Sequence, residues 1–189
     1  WQKPNLAWAM DDTKFAGCSG YIHTIRDLCS RYQFEPLAGK LATGKKVAAH
    51  LEKLFRKHGA PLFIKRDNGA NLNHEAVNQV LAKWMVIPIN SPIHCPEYNG
   101  AIENAQKDWD RLMDPKDPFV LDHLQICSGL AAHDLNHTPR PVLSNRIPCA
   151  VFHGPDRLKV NKRYKKNAYE WIKNKSLELA PNLSGAKFD

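Results

Sequence analysis

The chain has 189 residues, enough for one generous domain or for one of about 150 residues with an appendage. Hydrophobic residues make up 43% and charged residues 24%, and the apolar runs are short, which excludes a disordered tail and a membrane-spanning helix. A net charge of +8 favours a polyanionic partner.

The chain opens on Trp1 with no initiator Met and no signal peptide, which reads as a cut from a longer protein. Short β-rich runs over residues 6–12, 20–26 and 32–38 read as three strands, the last two joined by a turn at 27–31. The period then changes. Val47, Leu51, Leu54 and Phe55 form one helical stripe, with Thr43 as its N-cap. Residues 62–66 read as a buried strand, and Val77, Val80, Leu81 and Trp84 as a second helix capped by Asn73. Residues 86–89 read as an edge strand, because Pro88 cannot donate to a central ladder. An irregular stretch, 91–98, precedes a helix over about 99–113, and another runs from Asp117-Pro118 to near Leu135. This order implies an α/β fold, a mixed sheet covered by helices. A boundary falls near 153, giving a core over 1–153 and a basic extension over 154–189.

The excess charge is local. Residues 156–175 hold eight basic side chains against Asp156 and Glu170, or +6. Lys162, Arg163, Lys165 and Lys166 are the candidate contacts to nucleic-acid phosphates, interleaved with Tyr164, Tyr169 and Trp171; a solvated helical face is the plainer alternative.

Three acids occupy particular places in this order. Asp11 lies near the end of the first strand, Asp67 ends the fourth before the Asn68-Gly69 turn, and Glu103 comes early in the following helix. Carboxylates that converge repel unless a cation compensates, and hard oxygen ligands suit Mg²⁺ or Mn²⁺. Spacing alone is weak, since an Asp after a strand is most often a turn former. His133 and His137 stand i,i+4 without an HExxH Glu or a Cys pair, which disfavours a zinc site. Five scattered cysteines, none in a CxxC pair, favour a reducing compartment.

The residues around the acids carry more. Trp8–Thr13 fits W-x-x-D-x-T, Asp27–Tyr32 fits D-x-x-S-R-y, Asp67-Asn68-Gly69 fits D-N-G, and Ser91-Pro92 fits the S-P that follows. Asn99–Glu103 fits N-G-x-x-E, and Asn136–Pro141 fits N-x-x-x-R-P, with Pro148 and Phe152 in its later positions. Together, in this order, they resemble the catalytic core of bacterial insertion-sequence transposases and retroviral-type integrases over about residues 1–153. The resemblance implies an RNase H-like fold with a five-stranded mixed sheet. It implies Asp11, Asp67 and Glu103 as metal ligands for two Mg²⁺ or Mn²⁺ ions that drive nicking and strand transfer of DNA. It selects Asp11 over Asp12, which strand alternation turns to the other face. It also implies DNA contacts at Asn99, Gly100, Lys107 and Arg140, a homo-oligomer on DNA, no membrane, and a bacterial, cytoplasmic setting. A purely hydrolytic nuclease, or an inactive core that only binds DNA, are the alternatives.

Overall fold

The computed structural model describes residues 1–15, 20–91, 107–113 and 121–179, with only the backbone of residues 15, 121 and 122. Trp8 and Met10 alternate along strand β1 (Ala7–Phe15) and are both buried, so one face of that strand seeds the core. β1 pairs antiparallel with β2 (Gly20–Asp27), and β2 with β3 (Leu37–Gly39). It pairs parallel on its other side with β4 (Phe63–Arg66), which pairs parallel with β5 (Ile87–Asn90). The five-stranded sheet therefore has the order β3-β2-β1-β4-β5, with Pro88 on its edge strand as expected.

Helix α1 (Gly44–His58) crosses from β3 to β4, and α2 (Glu75–Lys83) from β4 to β5. The Thr43 hydroxyl caps α1 by accepting from Lys46 N, and Gly59, at φ 75°, closes it. Gly44 lets the two helices approach, because a Cβ there would sit 2.2 Å from His74. His74 caps α2 through Ala76 N, in place of Asn73. The buried stripes of α1 and α2 meet Trp8, Met10, Ile25 and Phe34, and Trp8 packs on Phe34 with ring centroids 3.9 Å apart.

The other face of the sheet carries a second cluster. There Ile22 of β2 meets Trp109 and Met113 of α3 (107–112 and the residue after it) and Leu124, Ala131, Ala132 and Leu135 of α4 (Leu121–His137). A short helix, α5 (Pro148–Phe152), follows, and then α6 (Lys162–Leu179). Phe152 is fully buried and stacks on Tyr32 at 4.6 Å.

The strand expected over 32–38 is shorter. Gln33 makes only an isolated bridge to Arg26, and the ladder resumes at Leu37, after Pro36. On the outer side the Asn136 side chain stands in for a strand: its Oδ1 accepts from Gln33 N (2.7 Å) and its Nδ2 donates to Gln33 O (2.8 Å). The chain after residue 153 is stitched to the body: Leu158 N donates to Pro4 O at 2.9 Å, and Arg157 lies over the Phe152 ring at 4.1 Å and donates to His58 O.

Candidate active site

Asp11 sits in the second half of β1, opposite Thr24 of β2. Two residues beyond the Ala9↔Lys65 pair, the parallel register brings it level with Asp67, just past the end of β4. Its side chain shares a sheet face with Ala9, Thr24 and Arg26, the face covered by α3 and α4. Burial pushes the Asp11 carboxyl up to about 6. The Asp67 and Asp12 charges add to the rise, while a hydrogen bond from Asp12 N (2.8 Å) and the His23 charge oppose it.

The turn that holds Asp67 is built from amides. Asp67 Oδ1 accepts from Gly69 N at 2.9 Å, and a Cβ at residue 69 would crowd that same oxygen, so the D-N-G motif needs its glycine. Asn73 donates to the carbonyls of Asp67 (3.0 Å) and Gly69 (3.2 Å), and Asn68 donates to Ser91 O (3.1 Å). Beneath them Arg66 is buried and reaches Asn90 Oδ1, Leu72 O and Asn78 Oδ1 at 2.7–2.8 Å. Asn73 is thus a brace for the acidic turn, which explains why it does not cap α2.

Asp12 faces the opposite side. Its carboxylate meets the fully buried His23 Nδ1 at 2.6 Å and accepts from Asn71. Both oxygens are occupied within the fold, whereas Asp11 has one backbone donor and a rising pKa.

Helix α3 is fastened to the Asp11 face by one carboxylate. Asp108 meets Arg140 Nη1 at 2.8 Å and Arg26 Nη2 at 3.5 Å. Burial lowers Arg26 to about 10, with Asp108 opposing the fall. Arg140, expected against DNA, sets its guanidinium against Asp108 and is mostly covered. Lys107, on the same helix, is exposed. Glu103, Asn99 and Gly100 lie outside the described residues. Among the described residues no three His, Cys, Asp or Glu side chains gather as metal ligands; Asp11 and Asp67 are the two candidate ligands described.

In the basic segment Lys162, Arg163 and Lys166 are exposed, and Lys166 stands 3.7 Å from Glu170. Lys165 differs from them in exposure. It is buried, its Nζ donates to Ala60 O at 3.0 Å, and burial lowers it to about 8. The D-x-x-S-R-y motif is a structural turn. Buried Asp27 accepts from Ser30 N (2.7 Å), Ser30 Oγ (2.6 Å) and Asn5 N (2.7 Å), and Arg31 takes φ 64°. The cluster of Asn68, Asn71 and Asn73 behind Asp67 was a legible turn signal, but Asp108 had none, because its partners lie 82 and 32 residues away.

The solved structures similar to this one decide the fold. A chain of the simian T-cell lymphotropic virus intasome, in complex with the PP2A regulatory subunit B56 gamma, matches 86% of this chain and 59% of its own, with a TM-score of 0.70 and 17% identity. The HTLV-2 integrase catalytic core domain, in complex with magnesium in a trimeric form, matches 80% of this chain and 98% of its own, with a TM-score of 0.62 and 19% identity. The chain has the RNase H-like fold of retroviral integrase catalytic cores. In sequence it is 28% identical over 107 residues to the Gag-Pro-Pol polyprotein of mouse mammary tumor virus (strain BR6) and 32% identical over 109 residues to that of simian retrovirus SRV-2. These matches cover 56% and 54% of this chain but span only 6% of each polyprotein. No family model matches. These relatives are retroviral, which overturns the bacterial setting expected from the motif order.

Proposed function

We propose that this chain is the catalytic core of a DNA integrase or transposase that performs metal-dependent phosphoryl transfer. The observation that carries the reading is that the β1/β4 register, continued two residues, sets Asp11 level with Asp67 just past the end of β4, with Asp11 pushed up to about 6 by burial beside the Asp67 charge. Two carboxylates that repel, one of them partly desolvated, suit a hard divalent cation, and oxygen donors fit Mg²⁺ or Mn²⁺ better than zinc. Glu103, which lies outside the described residues, completes the set in this reading.

When bound, such ions polarise the scissile phosphate and activate the attacking and leaving oxygens. The chain's own residues supply position. The amide-braced turn fixes the Asp67 carboxylate, the β1/β4 register fixes Asp11 level with it, and the Arg26–Asp108–Arg140 bridge fixes the angle of α3. Lys107 contacts a DNA phosphate, as do the exposed Lys162, Arg163 and Lys166, whose charges give affinity without sequence choice. Arg140 is left out of that set because its guanidinium is paired with Asp108 within the fold. The unit acts as a homo-oligomer on DNA, with residues 1–153 as core and 154–189 as a basic extension.

Mn²⁺ titration of the full chain by calorimetry, with and without duplex DNA, tests the reading. Binding that is lost in Asp11→Asn, Asp67→Asn and Glu103→Gln supports it. Equal binding by wild type and all three variants would refute it.

A further inference from the structure

At the far end of the parallel strands from Asp67 lies a groove of about 650 Å³. It is lined by the residues that precede β1, β4 and β5, including Asn5, Ala60 and Met85, and by the segment that leads into α6. Residues 5 and 11 on β1, and 60 and 67 around β4, place it roughly 20 Å from the candidate site, at about 3.3 Å per strand residue.

The lining is basic and contains no acid. Arg157, Lys159, Lys162 and Lys165 converge there with Lys83 and His58. Lys83 is neutralised by Glu52 at 2.9 Å, and burial lowers His58 to about 4, so it is uncharged at neutral pH. Four cations remain. Lys159 and Lys162 are exposed on the rim, while Lys165 is 7% exposed. Among the described residues neither Lys165 nor Arg157 has a carboxylate within ion-pair distance. Each caps a carbonyl near the end of α1: Lys165 that of Ala60, Arg157 that of His58. Capping satisfies one N–H apiece, out of three on an ammonium and five on a guanidinium, and neutralises no charge. A buried cation such as Lys165 is costly without a counter-ion, and an oxyanion in the groove would offset that cost with charge-assisted hydrogen bonds.

We propose that this groove is a phosphate-class anion site, with Arg157 and Lys165 inside and Lys159 and Lys162 on its rim, and that it holds a backbone phosphate of nucleic acid remote from the scissile one. The nucleic-acid half rests on the proposed function above, whereas the anion half does not.

The test uses the full chain in EDTA, so no catalysis is involved. Melting is followed in sodium phosphate against sodium chloride of matched ionic strength, and affinity for a short duplex is followed against salt. Phosphate should raise the melting temperature saturably. The double variant Lys159→Gln/Lys162→Gln, whose changes are exposed, should weaken phosphate binding by about tenfold, the loss of two solvent-screened charge contacts. It should also lower the slope of log affinity against log salt by up to about 1.8, or about 0.9 per contact. Lys165→Met keeps the apolar stem and should abolish the phosphate effect. Phosphate stabilisation with an unchanged duplex slope would overturn the nucleic-acid assignment and leave a site for free phosphate. Phosphate acting no better than chloride, with the slope unchanged, would overturn the proposal. Asp67→Asn should leave both readouts intact, and a wild-type chain that binds phosphate but transfers no strands in Mg²⁺ refutes the proposed function and not this site.

Discussion

Replacing Asp11 with Asn should stabilise the metal-free protein at neutral pH. Asp11 is held at about 6 against an ordinary 3.8, chiefly by burial. The folded state therefore binds its proton more tightly than the unfolded chain does. Stability from this group is fully present below about pH 3.8 and is lost as pH rises through about 6. At about 1.4 kcal/mol per pH unit of displacement, the ionised group costs up to about 3 kcal/mol above pH 7. Water that reaches the partly exposed carboxylate reduces the figure, so it is a ceiling. Asn is nearly isosteric, and its Oδ1 can still accept from Asp12 N. For a chain of this length about 3 kcal/mol corresponds to a melting shift of up to about 10 °C. Calorimetric melting of both proteins in EDTA from pH 4 to 8 checks this. The two curves should nearly coincide at pH 4, separate as pH rises from 4 to 6 and stay apart above it, and Mg²⁺ should narrow the gap by binding only the wild type. An Asn variant no more stable than wild type at pH 7.5 would refute the electrostatic reasoning.

Asp12→Asn should lower stability by about 1–3 kcal/mol, through loss of the charge-assisted bond to buried His23, while metal-dependent activity persists; urea midpoints and a nicking assay read the two effects separately. Asp108→Asn strands Arg26 and Arg140 without their shared carboxylate and should cost about 3–5 kcal/mol, with weaker Mn²⁺ binding as α3 loosens. An unchanged urea midpoint would show that the bridge fastens nothing. Phe152→Ala removes a fully buried ring that stacks on Tyr32 and carries Arg157, and should cost about 3–5 kcal/mol by chemical denaturation.

Hydrophobic period and turn chemistry made much of the fold legible. The stripes of α1 and α2, the Thr43 cap and the edge position of Pro88 are local signals, and each appears where the pattern puts it. The third strand was overextended because β-rich composition over 32–38 cannot reveal that Asn136, 103 residues away, takes the hydrogen bonds of Gln33. The motifs were legible as letters but not as jobs. Asn136 mimics a strand, Arg140 ties α3 and Phe152 plugs the core, so three parts of one motif serve architecture. Lys165 reads as one more charge in a basic run, and only the fold turns its ammonium toward Ala60. Register is what joins Asp11 to Asp67, and register depends on which strands become neighbours, a long-range property.

The most direct measurement of the central claim is strand transfer by the full chain on duplexes that carry candidate element ends, run with Mg²⁺ and with EDTA, for wild type and Asp67→Asn. The expected result is Mg²⁺-dependent joined product from wild type and none from Asp67→Asn, which should still bind the duplex. Product formed equally in EDTA or by Asp67→Asn, or a wild type that binds the ends in Mg²⁺ and yields neither nicked nor joined DNA, would contradict it.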